Sequence, residues 1–173
     1  MDRNIDVLTE RAAKEQKEDP RIRLYGRDIL NTPEFRRMYL QTHHHRTSVG
    51  KHSVLTARMG LWLCDLLKHR GIRADEKKVV RIALLHDVGM LDRYTRYRNN
   101  FECGKLHPVN SAAAAKRLWS DIDDDSLAAI RSHMWPLSVT MPHTREGVIL
   151  CIADKMAAIR DVVQWKGRQS NDS

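Results

Sequence analysis

The chain has 173 residues, a length that suits one compact domain better than two. Hydrophobic residues make up 42% and charged residues 30%, so we expect a buried core, and collagen-like, low-complexity and all-β sandwich proteins are disfavoured. The formal charge of +8 favours an anionic partner, but the basic residues are scattered along the chain, which disfavours nucleic acid.

Hydropathy and cysteine use both bear on the compartment. The longest uninterrupted apolar run, Gly147–Ala153, is far too short to cross a bilayer, and the first twenty residues lack the apolar stretch of a secretory signal. The three cysteines are widely spaced and form no CxxC pair, so no disulfide framework is indicated. We therefore predict a soluble, cytoplasmic protein without a membrane partner.

Apolar residues recur at helical spacing along almost the whole chain, and no segment alternates at period two. The fold class predicted is all-α, a single helical bundle of six or seven helices within one domain, residues 1–173. The expected parts are an N-terminal helical extension (1–30), a helical core (43–165) and a disordered tail (169–173). Within these, helices are expected to start near Asn31–Glu34 and to cover about 47–69, 75–88, 108–119, 123–134 and 145–165.

Several of the nine histidines fall on apolar helix faces. His52 lies three, seven and ten residues before Leu55, Met59 and Trp62, so it is predicted to point into the bundle. His86 and Asp87 follow Ala83 by three and four residues, on the apolar stripe of the next helix. A buried carboxylate must be paired or must bind a metal, because burying it bare would cost several kcal/mol.

Three further residues have similar placements. His107 precedes Pro108, which is predicted to open a helix, and His133 follows Ile130 by three residues. Asp154 lies on a face of mostly small side chains. The candidate metal ligands are therefore His52, His86, Asp87, His107, His133 and Asp154.

Four histidines and two aspartates form a nitrogen and oxygen ligand set that suits Mn, Fe, Zn, Co or Mg. His52, His86, Asp87 and Asp154 would fill most of one ion's shell, so His107 and His133 imply a second ion, with Asp87 as a bridge. Paired ions roughly 3.5–4 Å apart can activate water for an in-line displacement at phosphorus. The alternative is that these residues are ordinary core or capping groups.

With these residues the sequence resembles the HD-domain metal-dependent phosphohydrolases, whose signature is a histidine, a later His-Asp doublet and a distal aspartate, all on helices. The matching positions are His52, His86-Asp87 and Asp154, and the resemblance covers about 43–165. His107 and His133 look like the additional ligands of the dinuclear branch, which includes cyclic-dinucleotide phosphodiesterases and dinucleoside polyphosphate hydrolases. The chain lacks the Gly-Tyr-Pro segment of the former and looks more like the short bacterial HD proteins.

The resemblance implies a metal-dependent phosphohydrolase with two divalent ions, in which a metal-bound hydroxide attacks a phosphoester or phosphoanhydride of a small phosphorylated metabolite, with a nucleotide favoured. Two other functions stay open. One is a mixed-valence di-iron oxygenase of the same superfamily, and the other is a phosphate- or nucleotide-binding module with a structural metal. A homo-oligomer is also left open.

Basic residues near the signature are candidates for binding substrate. The segment 92–106 is long for a helix connection, and long ordered loops beside a site are often lids. Its guanidinium groups would clamp a phosphate, although a solvated basic loop is the alternative. Arg145 opens the last helix, where free N–H groups favour anions. The candidate substrate-binding residues are Arg145, Arg93, Arg96, Arg98 and Lys105.

Two further residues complete the candidate catalytic set. Lys155 follows Asp154 and would orient substrate, although neighbours on a helix point about 100° apart. Asp92 would relay a proton from the activated water, although a surface turn is the alternative interpretation. The candidate catalytic residues are Asp87, His86, Lys155 and Asp92.

Overall fold

The computed structural model describes residues 19–43 and 47–169, which form eight α-helices, one 3₁₀ turn and one two-stranded ribbon. The helices are α1 (Pro20–Leu30), α2 (Pro33–Leu40), α3 (Val49–Lys68), α4 (Glu76–Leu85), α5 (Arg93–Arg96), α6 (Asn100–Leu118), α7 (Asp124–Ser132) and α8 (Arg145–Gln169). The all-α prediction is confirmed. Seven of these helices have eight residues or more, and α5 adds a single turn.

Polar side chains start several of the helices. Thr32 Oγ1 accepts a hydrogen bond from Phe35 N and precedes Pro33, as the sequence predicts for α2. Asp75 caps α4 and Asp123 caps α7 in the same way. These caps use N–H groups that have no partner within the helix, so they fix where each helix begins.

A short ribbon leads into the bundle. β1 (Thr42–His43) pairs antiparallel with β2 (Thr47–Ser48), with Thr42 opposite Ser48. Ser48 then caps α3, since its hydroxyl accepts a hydrogen bond from Lys51 N. The ribbon thereby ties the end of α2 to the start of α3.

The core lies between α3, α4, α7 and α8, with α1 and α2 covering one side and α6 the other. Its largest fully buried side chains include Phe35, Leu61, Leu84, Ile130 and Leu150. Burying each such side chain contributes about 1.5–3 kcal/mol to folding. This packing holds the inward faces of five helices at fixed distances from one another.

A glycine allows the closest approach near the His-Asp doublet. Gly89 lies in the 3₁₀ turn Val88–Met90, and its N–H donates to Ser111 Oγ of α6 at 3.0 Å. A Cβ at Gly89 would collide with the backbone of Asn110 and Ser111. The absence of a side chain therefore lets the turn after Asp87 lie directly on α6.

Three expectations about elements are wrong in detail. Pro108 does not open a helix: α6 begins at Asn100, because Asn99 caps it by accepting from Glu102 N. The predicted long connection 92–106 is largely helical, since it contains α5 and the first part of α6. Trp62 is 52% exposed, because ten residues rotate it by about 80° from His52 around the helix.

The N-terminal extension is described only from residue 19, where it forms α1; its predicted helical part before that lies outside the described residues. The predicted disordered tail also lies outside them, apart from Gln169 at the end of α8. Within residues 19–43 and 47–169, no helix combines the length and the hydropathy needed to span a bilayer.

Candidate metal centre

His86 and Asp87 lie at the point where α4 ends, and both are buried. His86 Nδ1 is 2.7 Å from Ala83 O. A carbonyl oxygen only accepts hydrogen bonds, so Nδ1 must carry the proton and Nε2 of the neutral ring is a lone pair. That Nε2 lies 3.4 Å from both Asp87 Oδ2 and Asp154 Oδ1, and it makes no hydrogen bond within the described chain.

His107 and His133 reach the same place from α6 and from the end of α7. His107 Nδ1 donates to Cys103 O and His133 Nδ1 donates to Ile130 O, so both rings also present Nε2 inward. Their Nε2 atoms lie 3.1 Å apart, and they are 3.3 and 3.7 Å from Asp87 Oδ1. The sequence had predicted that His107 lies at a helix entrance, but it lies within α6.

These distances fit divalent cations. Two nitrogen lone pairs 3.1 Å apart repel each other unless a proton or a metal ion lies between them. Donor atoms bound to one ion at about 2.0–2.1 Å are about 3–3.4 Å apart. Burial lowers the pKa of His86, but the nearby Asp87 and Asp154 carboxylates raise it by more, so positive charge is favoured at its Nε2, 3.4 Å from both.

His52 joins the cluster from the first turns of α3. Its Nε2 is 2.9 Å from Asp154 Oδ1, and its Nδ1 is 3.1 Å from Asp161 Oδ2. Two donor groups result, His52–His86–Asp154 and His86–Asp87–His133, and each lies within 4.8 Å. Both groups include His86, whose Nε2 has a single lone pair, and each group could hold a metal ion.

The cluster has two chemically different ends. We call His52, Asp154 and Asp161 the carboxylate end, and His107 and His133 the histidine end. Burial lowers the pKa of His52, but hydrogen bonds with Asp154 and Asp161 raise it by more than burial lowers it, so the pKa is about 10. Burial would raise the pKa of Asp154, yet the hydrogen bonds with His52 and His86 hold it well below its usual range. Burial, with His86 and His107 nearby, lowers the pKa of His133 to about 3.

Asp161 was not among the predicted site residues. It follows Asp154 by seven residues on α8, which places the two carboxylates on the same helix face two turns apart. That spacing was the available signal, but Asp161 directly follows Arg160, and a charged pair of this kind is typical of a solvent-facing surface.

The cluster opens into a cavity of about 250 Å³. Asp87, His107, His133 and Asp154 form its inner wall. Much of the remaining wall is apolar and consists of Met90, Met134, Pro136, Leu137 and Ala158. The cavity therefore offers both the donor cluster and a water-excluding surface beside it.

Two cationic side chains line this cavity. Arg93 is only 6% exposed; its Nη2 donates to Asn100 Oδ1 at 2.6 Å, and its Nη1 makes no hydrogen bond within the described chain. Lys155 Nζ donates to His133 O and Cys151 O, both at 3.2 Å. Lys155 and Asp154 are neighbours on a helix and point about 100° apart, but the long side chain of Lys155 still reaches the cavity that Asp154 lines.

A second cavity of about 290 Å³ adjoins the first, and Arg93, Asn100 and Cys103 line both. Tyr94, Tyr97 and Arg98 also line it. Arg93 and Arg98, predicted to bind substrate, are thus the two arginines of the 92–106 segment that the structure brings to a cavity.

The other predicted residues of this segment lie elsewhere. Asp92 is 57% exposed and pairs with Arg37 Nη2 at 3.1 Å, so it is not placed to relay a proton from the cluster. Arg96 is exposed and directs Nη1 to Gly89 O at 3.5 Å. Lys105 Nζ lies 4.6 Å from the ring centroid of Phe101. None of the three lines either cavity.

Arg145 is also distant from the cluster. It lies nine residues before Asp154 on α8, which corresponds to about 13–14 Å along the helix axis. Its Nη1 donates to Arg73 O, the backbone carbonyl after α3. The start of α8 therefore packs against another part of the bundle and does not face the cavity.

Comparison with known proteins identifies the family. A family model described as the HD domain matches residues 49–159, more than half of the chain, and this region contains all six predicted metal ligands. No curated protein and no solved structure gives a match. The HD domain indicates a metal-dependent hydrolase superfamily, and the clustered histidines and aspartates are suited to divalent metal ions. The chain belongs to the HD-domain family.

Proposed function

We propose that this protein is a phosphohydrolase that uses two divalent ions to cleave a phosphoester or phosphoanhydride of a small phosphorylated metabolite, with a nucleotide as the favoured substrate. The observation that carries the proposal is that two donor groups, which share His86, lie beside a cavity that the side chains of Arg93 and Lys155 also line. Metal ions beside positive side chains suit a phosphoryl group, which carries several negative oxygens.

Ions bound in the cluster would activate a water molecule and neutralise charge at phosphorus. The residues of this chain would do the rest. The carboxylate oxygens of Asp87 lie 3.3–3.7 Å from the Nε2 atoms of His86, His107 and His133. Asp87 would therefore keep two bound ions at a fixed separation. Arg93 and Lys155 would hold the phosphate oxygens that do not contact the ions.

The two cavities support a small substrate with a polar and an apolar part. Their combined volume is sufficient for a small molecule, since the volumes of small-molecule sites generally begin near 300 Å³. Tyr94, at the second cavity, offers a ring on which a base can stack, and its neighbour Arg98 adds positive charge. A nucleotide with its phosphate at the cluster and its base in the second cavity would use both.

The test is phosphate release by protein purified without chelator and loaded separately with Mn, Fe, Co, Zn or Mg. The panel includes nucleoside mono-, di- and triphosphates, dinucleoside polyphosphates and sugar phosphates. We expect turnover that chelator abolishes and added metal restores. No turnover on any member of the panel would refute the proposal, and oxygen consumption by the iron-loaded protein would favour the oxygenase instead.

Arg93→Met tests the assignment of the phosphate-binding cation. We expect the KM for the active substrate to rise about tenfold or more, since a charge-assisted hydrogen bond contributes about 1.5–3 kcal/mol. Arg96→Met is the matched control, because Arg96 lies three residues away but outside both cavities. Equal KM values for the two variants would exclude Arg93 from substrate binding.

A further inference from the structure

Asp161 contacts the cluster through His52 alone among the six candidate ligands. Its Oδ2 lies 3.1 Å from His52 Nδ1, and its side chain is 17% exposed. His52 itself is fully buried in the first turns of α3. The contact therefore joins α8 to α3 at the edge of the cluster, where one oxygen faces the ring and the carboxylate remains near solvent.

His52 differs from the other three histidines in its Nδ1 partner. His86, His107 and His133 donate Nδ1–H to a backbone carbonyl of their own helix. His52 faces a carboxylate from a different helix. A carboxylate accepts the Nδ1 proton as a carbonyl does, but its negative charge also makes the ring a stronger donor at Nε2.

The other nitrogen of His52 points to the donor group at the carboxylate end. Nε2 lies 2.9 Å from Asp154 Oδ1, and Asp154 Oδ1 lies 3.4 Å from His86 Nε2. For Nε2 to bind a cation there, Nδ1 must keep the single proton of the neutral ring. Asp161 is the group placed to hold that proton.

We propose that Asp161 is a positioning residue for the metal ion at the carboxylate end. It fixes the ring orientation and tautomer of His52 and increases the donor strength of Nε2. The proposal rests on the metal sites of the proposed function, but on neither its substrate nor its reaction. Asp161 lies outside the matched HD-domain region, so the family comparison does not supply this role.

The experiment measures metal binding to chelator-treated, full-length Asp161→Ala and Asp161→Asn proteins by titration with Co²⁺, followed by its visible absorption, and by chelator competition with Zn²⁺. Alanine removes both the acceptor and the charge, whereas asparagine keeps an acceptor oxygen and removes only the charge. The control is Asp125→Asn, which changes an exposed aspartate on α7 that lines neither cavity.

We expect Asp161→Ala to weaken one of the two bound ions about 10–100-fold, and Asp161→Asn to weaken the same ion less. The ion at the histidine end should keep its affinity. In the Zn²⁺-loaded wild-type protein the His52 Nδ1–H should be visible by ¹H–¹⁵N NMR, and in Asp161→Ala it should exchange with water. A purely structural contact would not change the ratio of the two affinities.

Three results would overturn the inference: unchanged affinity for both ions, an equal loss of both ions, or a wild-type protein that binds no divalent metal. If Asp161→Ala does not fold, the decision rests on Asp161→Asn, which must still weaken one ion selectively. Selective loss of one ion in a protein that hydrolyses none of the phosphorylated compounds would refute the proposed function and leave this role of Asp161 intact.

Discussion

The two ends of the cluster are built from different chemistry although they share His86. At the carboxylate end His52 lies between Asp154 and Asp161, and these two carboxylates raise its pKa to about 10 despite burial. At the histidine end, burial and neighbouring imidazoles lower the pKa of His133 to about 3. Without metal, His52 at the carboxylate end is therefore protonated at neutral pH, whereas His133 at the histidine end is neutral.

The difference indicates that a metal ion would bind differently at the two ends. Carboxylate oxygens favour harder ions such as Mg or Mn, whereas imidazole nitrogens suit Zn, Co or Fe. A cation at the carboxylate end must displace the proton of His52, whereas His133 is already a neutral donor at neutral pH. We therefore expect two binding steps with different affinities and different pH dependence.

The largest effect is expected where the two ends meet. Asp87→Ala removes the carboxylate that lies near His86, His107 and His133, so phosphate release should fall by about 10³-fold or more. The measurement is kcat on the substrate found in the panel, together with metal content. Asp92→Asn should retain wild-type activity, because Asp92 is a surface residue five positions away. Asparagine also tolerates the left-handed backbone conformation of residue 92. A similar loss in both variants would contradict the assignment.

A smaller and selective effect separates the ends. His133→Ala should reduce bound metal from about two ions to about one per chain and spare the carboxylate end, whereas His52→Ala should remove the other ion. Elemental analysis of each variant after loading with Zn or Mn gives the stoichiometry. His143→Ala is the control, because His143 is exposed and pairs with Asp125 at 3.6 Å. Loss of both ions in both single variants would show that the positions are not independent.

The smallest effect involves no loss of activity and concerns protonation alone. In chelator-treated protein at pH 7–8, His52 should be protonated, because its pKa of about 10 lies above the ordinary value of about 6.5. His133 should remain neutral down to about pH 4, because its pKa of about 3 lies below that value. NMR titration of the imidazole signals, assigned with His52→Gln and His133→Gln, measures both. Midpoints near 6.5 for both residues would remove the contrast between the ends.

The burial of several candidate ligands could be predicted from the sequence, and the reason is physical. His52, His86, Asp87 and His133 are polar residues on apolar helix faces, a pattern that solvent exposure does not produce. The all-α fold followed from the same periodicity. The histidine and aspartate side chains that carry this pattern are also those that the structure brings together.

Residues outside that pattern were predicted less well. Pro108 suggested a helix start, but the cap at Asn99 determines where α6 begins, so His107 lies inside the helix. Arg96, Lys105, Arg145 and Asp92 are charged residues on exposed faces, and charge alone does not show whether a side chain faces a cavity or water. Asp161 was missed because its partner His52 is 109 residues away, and such a contact depends on tertiary packing.

The spacing of the cluster also depends on a residue that contributes no side chain to it. Gly89 lets the turn after Asp87 rest on the backbone of α6, the helix that carries His107. An alanine there would wedge the turn away from α6 and stretch the 3.3 Å gap between His107 Nε2 and Asp87 Oδ1. A single methyl group two positions from Asp87 would thus be enough to weaken metal binding. Every substitution at this position adds at least that much bulk.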